Sequence, residues 1–187
     1  MSVAALLRGI AGLPRQLGRD ASASAAVEFA LIVPVMLTIY IGGSTVTQGI
    51  SIDRKVTLVA HAVSDLTAQA SSLTNTEISN ILDAASAIIT PYSSAPMSVT
   101  VTSIKIDSNK KATVIWSKTL NGTQRSGDVT GKIPADLKEA ESCLIWGEAT
   151  YVFKPAIGYV ISGSINLGDE TFMRPRQAAY SACVAKT

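Results

Sequence analysis

Few side chains in this chain have the type and spacing that chemistry requires. Glu28 is one. Between Asp20 and Asp53 it is the only strongly charged residue, and it stands near the start of a long apolar run. A lone carboxylate in lipid is costly, so it asks for a partner. Cys143 and Cys183 are the only two thiols, and His61 is the only imidazole. That set is too small for a zinc site, and no metal or cofactor is expected. Arg174 and Arg176 flank Pro175 and could hold an anion or a carboxylate. Exposed charges beside a proline on an edge strand are the simpler reading. There is no Cys–His pair at a useful spacing, no nucleophile elbow and no phosphate-binding glycine loop. No catalytic residues are assigned.

The elements that would position these groups begin with the apolar run. Ala25 to Ile41 is close to the ~20 residues a helix needs to cross a bilayer. Arg8, Arg15 and Arg19 precede it, which favours a cytoplasmic N-terminus. The rest would then lie in the periplasm of a Gram-negative cell. Three readings compete: a cleaved secretory signal, a plain signal anchor, and a pilin-type leader cut before a helix that is retained. Against the first, Glu28 interrupts the leader, and Ile41-Gly42-Gly43 is a poor signal-peptidase exit. Pro34 removes one helical hydrogen bond and is expected to kink the span. Ala26 and Ala30 form a small-xxx-small pair that permits close helix contact.

The segment Ser22-Ala23-Ser24-Ala25-Ala26-Val27-Glu28-Phe29 resembles the start of the TadE-like proteins of the tight-adherence (Flp-type) pilus system. Their usual text is a Gly, four small or apolar residues, then Glu followed by Phe or Tyr. Here Ala23 stands where that Gly would be, and Glu28 is the fifth residue after a cut between Ala23 and Ser24. The resemblance implies that a prepilin peptidase makes this cut and frees an amine at Ser24. Glu28, about one turn away on the same or a neighbouring subunit, would neutralise it during assembly. Tyr151-Val152-Phe153-Lys154-Pro155 and Arg174-Pro175-Arg176 add to the likeness in the C-terminal half.

Beyond the glycines the periodicity continues. Ile52, Val56, Val59, Val63 and Leu66 recur at three or four residues, which predicts an amphipathic helix continuing the membrane helix. His61 beside this stripe reads as solvated. Thr76 to Ile89 reads as a second helix, with Asn75 or Thr74 as N-cap, Ile78, Ile81, Leu82, Ala85 and Ile88 on one face, and Pro91 after it. Met97 to Asp107 alternates, with a slip near Ser103. Ala112 to Lys118 alternates again, with Val114 and Trp116 on one face, so the two predict a hairpin. Asn121-Gly122 marks a turn. Thr123 to Gly131 reads as an exposed loop and Pro134 to Ala140 as a short helix. Ser142 to Phe153 is the strongest strand. Pro155 to Leu167 is mixed, with room for a short helical segment, and Thr171 to Val184 reads as the last strand.

An oxidising compartment would allow Cys143 and Cys183 to form a bridge, closing a loop of about forty residues. Two buried free thiols are the other reading, and the bridge is favoured. The chain has 187 residues and a net charge of +2, with its basic residues scattered, so no nucleic-acid footprint is expected. The fold expected is α+β and pilin-like, a long N-terminal membrane helix packed on a small antiparallel sheet. Its parts are a cytoplasmic leader (residues 1–23), a transmembrane helix (24–45) and a periplasmic domain (46–187). The function expected is a non-enzymatic minor pilin or pseudopilin that primes or stabilises a tight-adherence type IV pilus. Its partners would be other pilin subunits, prepilin peptidase and the inner-membrane assembly platform. The alternatives are a signal-anchored periplasmic interaction domain that joins no filament, and a secreted enzyme.

Overall fold

The structure, a computed structural model, describes residues 21–155, 163–177 and 183–186. The expected leader, apart from residues 21–23, lies outside them. The chain divides into two compact units, Met1–Val46 and Thr47–Thr187. One continuous helix, α1 (Ala21–Gln69), contributes to both, and it contains Pro34, Gly42 and Gly43. In the first unit the Thr38 hydroxyl donates to the Pro34 carbonyl at 2.8 Å, adding a side-chain contact in the turn that follows the proline.

In the second unit, α1 from Thr47 onward packs on a sheet. Ile52, Val56, Val59, Ala60 and Val63 are buried on it at helical spacing. Leu66 departs from the expected stripe and is 43% exposed. The buried row runs instead from Val63 to Thr67, one i+4 step, which stays closer to the sheet than the i+3 step to Leu66. Thr67 can be buried because its hydroxyl donates to the Val63 carbonyl at 2.8 Å.

After β1 (Ser72–Leu73) comes α2 (Asn75–Ile88). Its N-cap is Thr74, with a full capping box: Thr74 Oγ1 accepts from the Glu77 N–H at 3.2 Å, and Glu77 Oε2 accepts from the Thr74 N–H at 2.7 Å. These bonds to the charged form hold the Glu77 carboxyl below its ordinary range. At the other end Lys55 Nζ donates to the Ile88 and Thr90 carbonyls at 2.9 and 2.7 Å, satisfying groups a helix end leaves open. Thr74→Ala is expected to cost about 1 kcal/mol. Urea unfolding, with amide exchange at residues 75–78, checks it.

Among the described residues, β2 (Met97–Ile106), β3 (Ala112–Leu120), β4 (Ser142–Phe153) and β5 (Ile165–Met173) form an antiparallel sheet in the order β3-β2-β4-β5. The apparent slip near Ser103 has a specific cause. Pairing with β4 runs unbroken from Met97↔Tyr151 to Ile106↔Ser142, so β2 itself is regular. The irregularity is in β3, where Ser103 faces Trp116 but Ile104 faces Val114, leaving Ile115 as an extra residue. Met97, Val99 and Val101 therefore face the helices, while Ile104 and Ile106 face the opposite side. The bulge also separates Val114 from Trp116: Trp116 joins the helix-side core, and Val114 packs in the second cluster.

That second cluster, which includes Leu144 and Trp146, is covered from the segment between β3 and β4. The stretch read as an exposed loop buries Val129, and Ile133 follows it inward. The short helix expected over Pro134 to Ala140 is only a 3-10 turn, Ala135–Leu137, because β4 opens at Ser142 directly after Glu141 in a left-handed conformation.

The last strand of the sheet starts earlier than the sequence reading placed it. β5 covers Ile165–Met173, so Ile165 to Leu167 are strand rather than helical, and residues 156–162 lie outside the described set. Pro175 has no N–H for a ladder and stands just past the strand end. The described tail resumes at Cys183, and β6 (Ala185–Lys186) pairs in parallel with β1.

Candidate functional site: the exposed apolar helix and its carboxylate

From Ser24 to Tyr40 every residue of α1 is exposed except Val33, which is half-buried. Phe29 and Leu31 are both 69% exposed and Ile39 is 70% exposed, with Val27, Val35, Met36 and Tyr40 alike. An apolar surface of this extent around a whole helix needs lipid or other apolar helices as its surroundings. The helix is long and apolar enough to cross a membrane. Residues 24–45 alone rise about 33 Å, against a hydrocarbon core of about 30 Å.

Glu28 lies on this helix as an exposed side chain, with no charged neighbour in the sequence from 21 to 52. Ser24 stands four residues before it, so the two share a face about 6 Å apart along the axis. Ala23 and Ser24 both lie in helical backbone, since α1 begins at Ala21. A peptidase acting at the Ala23–Ser24 bond would have to unwind the first turn, the part of a helix that frays most readily.

The structure joins Cys143 and Cys183 in a disulfide, with Cα atoms 5.5 Å apart and the two residues 40 positions apart in sequence. Cys143 is near the start of β4, so the bridge pins the tail to the sheet. Val184 is then fully buried, and its carbonyl accepts from Trp116 Nε1 at 2.6 Å and from the Ser103 hydroxyl at 3.3 Å.

The two arginines are engaged within the unit and lie past the end of β5. Arg174 pairs with Glu139 at 2.6 Å, and Arg176 with Asp65 at 2.6 Å. The Arg176 backbone N–H also donates to the Ala68 carbonyl at 2.8 Å, tying the chain after β5 to α1. The hydrogen bond from Arg174 holds the Glu139 carboxyl below its ordinary range. His61 is exposed on α1. Among the described residues no cluster of His, Cys, Asp or Glu is arranged to hold a metal ion.

One polar cluster was missed by the sequence reading. Glu148 and Glu170 face each other directly across β4 and β5, an unfavourable like-charge pair. Arg125, from the loop after β3, offsets it by donating twice to Glu148, at 3.0 and 2.5 Å. Its guanidinium also lies 4.9 Å over the Trp146 ring, and Trp146 Nε1 donates to Glu170 at 3.1 Å. The bond to Glu148 raises the Arg125 pKa further. Glu148 thus holds the loop on the sheet, and Glu170 is engaged by the Trp146 indole. The only sequence signal was the i, i+2 spacing of Trp146 and Glu148 on one strand face.

No model of a known protein family, no curated protein and no solved structure matches this chain. Its function is therefore read from its own residues.

Proposed function

We propose that this chain is a minor pilin or pseudopilin that takes part in building a tight-adherence type IV pilus, priming or stabilising the filament without catalysing a reaction. The observation that carries the reading is Glu28: one carboxylate on an exposed apolar helix, one turn from Ser24. Nothing in the fold requires a charge there, and lipid penalises it. An amine freed at Ser24 of this or a neighbouring subunit supplies the missing partner. The long α1 fits the role, since it carries the apolar surface and then serves as the spine of an α+β unit. In this reading the subunit waits in the inner membrane with its N-terminus in the cytoplasm and its second unit in the periplasm. Prepilin peptidase trims it, and the assembly platform and other pilin subunits take it up.

Two measurements test this. Mass spectrometry of the mature protein is expected to find a chain starting at Ser24. Glu28→Gln keeps the shape and removes the charge. It is expected to insert in the membrane normally and to enter filaments about tenfold less or worse, since each tenfold corresponds to about 1.4 kcal/mol. Normal piliation with Gln at 28 would overturn the role of the carboxylate. A second reading, a signal-anchored periplasmic interaction domain, is favoured by Ala23 in place of the glycine and by the helical backbone across the cut site. An intact Met1 on the mature protein would select it.

A further inference from the structure

A groove of about 570 Å³ opens where α1, the connection after α2 and the end of β4 meet. Its lining residues fall between Gln48 and Lys154, so it belongs to the second unit alone. Two chain directions set its order. α1 runs antiparallel to β4: Gly49 lies against the Phe153 ring, and Ala60 and Ser64 lie over Gly147. Gln48 and Lys154 each adjoin the Gly49–Phe153 contact in sequence, so they share one end of the groove. Ile52, about 4.5 Å of rise beyond Gly49, and Phe153 form a buried apolar floor. Tyr151, two residues back along β4, and Tyr92 form the wall at the other end. That wall is fixed. The Tyr92 N–H donates to the Ile89 carbonyl at 3.0 Å, and the Val152 N–H to the Pro96 carbonyl at 3.1 Å.

The lining dictates the chemistry of an occupant. Lys154 is its only charged residue, and no carboxylate lines it. Among the described residues the exposed Gln48 and Lys154 side chains make no hydrogen bond or ion pair within the chain. An amide and an ammonium are therefore open to a ligand at the same end. A carboxylate matches them, since it accepts a charge-assisted bond from the ammonium and a second bond from the amide. Beyond them stand the rings of Phe153, Tyr151 and Tyr92 beside Ile52, and rings pack well against another ring, offset or edge-on. Burial, and then Tyr92, push the Tyr151 pKa up, so the wall stays neutral and does not repel an anion. The volume falls in the range of small-molecule sites. We infer that the groove binds a small aromatic monocarboxylate, its carboxylate at Lys154 and Gln48 and its ring over Ile52 and Phe153 against Tyr151. The inference concerns the second unit alone and is independent of entry into a filament.

The test titrates 3-phenylpropionate into the full chain in a zwitterionic detergent, with the tyrosine rings labelled with carbon-13 and read by NMR. Tyr92→Phe and Tyr151→Phe each delete one signal and so assign the two. Both signals are expected to shift and saturate. 3-Phenylpropanamide keeps the shape without the charge and is expected to bind about tenfold more weakly, the scale of a lost charge-assisted bond. Propionate, without the ring, is expected to give no saturable shift. Lys154→Gln is expected to weaken 3-phenylpropionate about tenfold and to leave the amide unchanged, a pattern that loss of fold does not produce. Lys132→Gln, the same change on an exposed 3-10 turn elsewhere, is expected to alter neither. Equal affinity for acid and amide, or equal binding of the acid by wild type and Lys154→Gln, would overturn the inference. So would saturation by propionate, since the groove would then take any small anion.

Discussion

Replacing either cysteine with serine is expected to lower the stability of the second unit by about 3–4 kcal/mol. The bridge closes a loop of forty residues, and a loop of that length removes roughly that much free energy from the unfolded chain as lost entropy. The loss will be local before it is global. Val184 is held by the Trp116 indole and the Ser103 hydroxyl, and its neighbours Ala185–Lys186 make a ladder only two residues long with β1. A ladder so short does not hold by itself. Without the bridge the tail has little else among the described residues to keep it in place, and the Trp116 N–H, buried with its residue 7% exposed, loses its acceptor. Urea unfolding of the full chain in detergent measures the first effect, and a shift in tryptophan emission reports the second. Because one bond is at stake, Cys143→Ser, Cys183→Ser and the double variant should fall together. A double variant much worse than either single one, or a reduced wild type as stable as the oxidised one, would show that the tail is held by something else.

The tail also shows where a sequence can and cannot be read. Periodicity made the helices and the central strands legible, because each buries one continuous face: Ile52, Val56, Val59 and Val63 on α1, and Ile78, Leu82 and Ala85 on α2. The sequence narrowed the N-cap of α2 to Asn75 or Thr74, and the capping box with Glu77 shows that it is Thr74. Alternation failed where a strand is covered on both sides. β2 changes its apolar face halfway along, so a regular strand looked slipped, and the true irregularity fell on Ile115 of its partner. It failed again after β5: of the strand expected over Thr171 to Val184 the ladder holds only to Met173, where Pro175 follows, and residues 178–182 lie outside the described set. Parallel pairing of β1 with β6 joins residues more than a hundred positions apart, and two-residue strands carry no period to detect.

The functional groups divide along the same line. Glu28 was legible because a charge in an apolar run is conspicuous without any fold. The cysteine pair was legible as a possibility, and the structure supplied the distance. The Arg125 cluster and the groove at Tyr151 were not legible, since each gathers residues from three separate elements whose contacts depend on register. Tyr151 and Lys154 stood in the sequence only as part of a resemblance, and it is the fold that lines one groove with both and with Gln48.

The approach of α1 to the sheet provides the second large effect. Gly147, in the middle of β4, lies directly under α1 at Ala60 and Ser64. A Cβ at position 147 would come within 2.9 Å of the Ala60 carbonyl oxygen and 3.3 Å of Ser64 Cβ, with the Ser64 hydroxyl closer still. In an open strand, exchanging glycine for alanine stabilises by roughly 0.5–1 kcal/mol through the unfolded chain. Here the sign reverses: Gly147→Ala is expected to cost about 1–3 kcal/mol, the usual range for overpacking, and Gly147→Val more. Ser64 offers the check. Its hydroxyl is buried with no hydrogen-bond partner, so Ser64→Ala removes an unsatisfied group and is expected to stabilise the unit by about 1 kcal/mol. It also vacates the space a new Cβ at 147 would enter. The double variant should therefore recover more than the sum of the two single effects, and the Ala60 carbonyl, which cannot retreat without moving the helix, sets the part that remains. A urea-unfolding cycle of the four proteins isolates this coupling. Strict additivity, or a neutral Gly147→Ala, would mean that α1 sits farther from β4 than the contact requires.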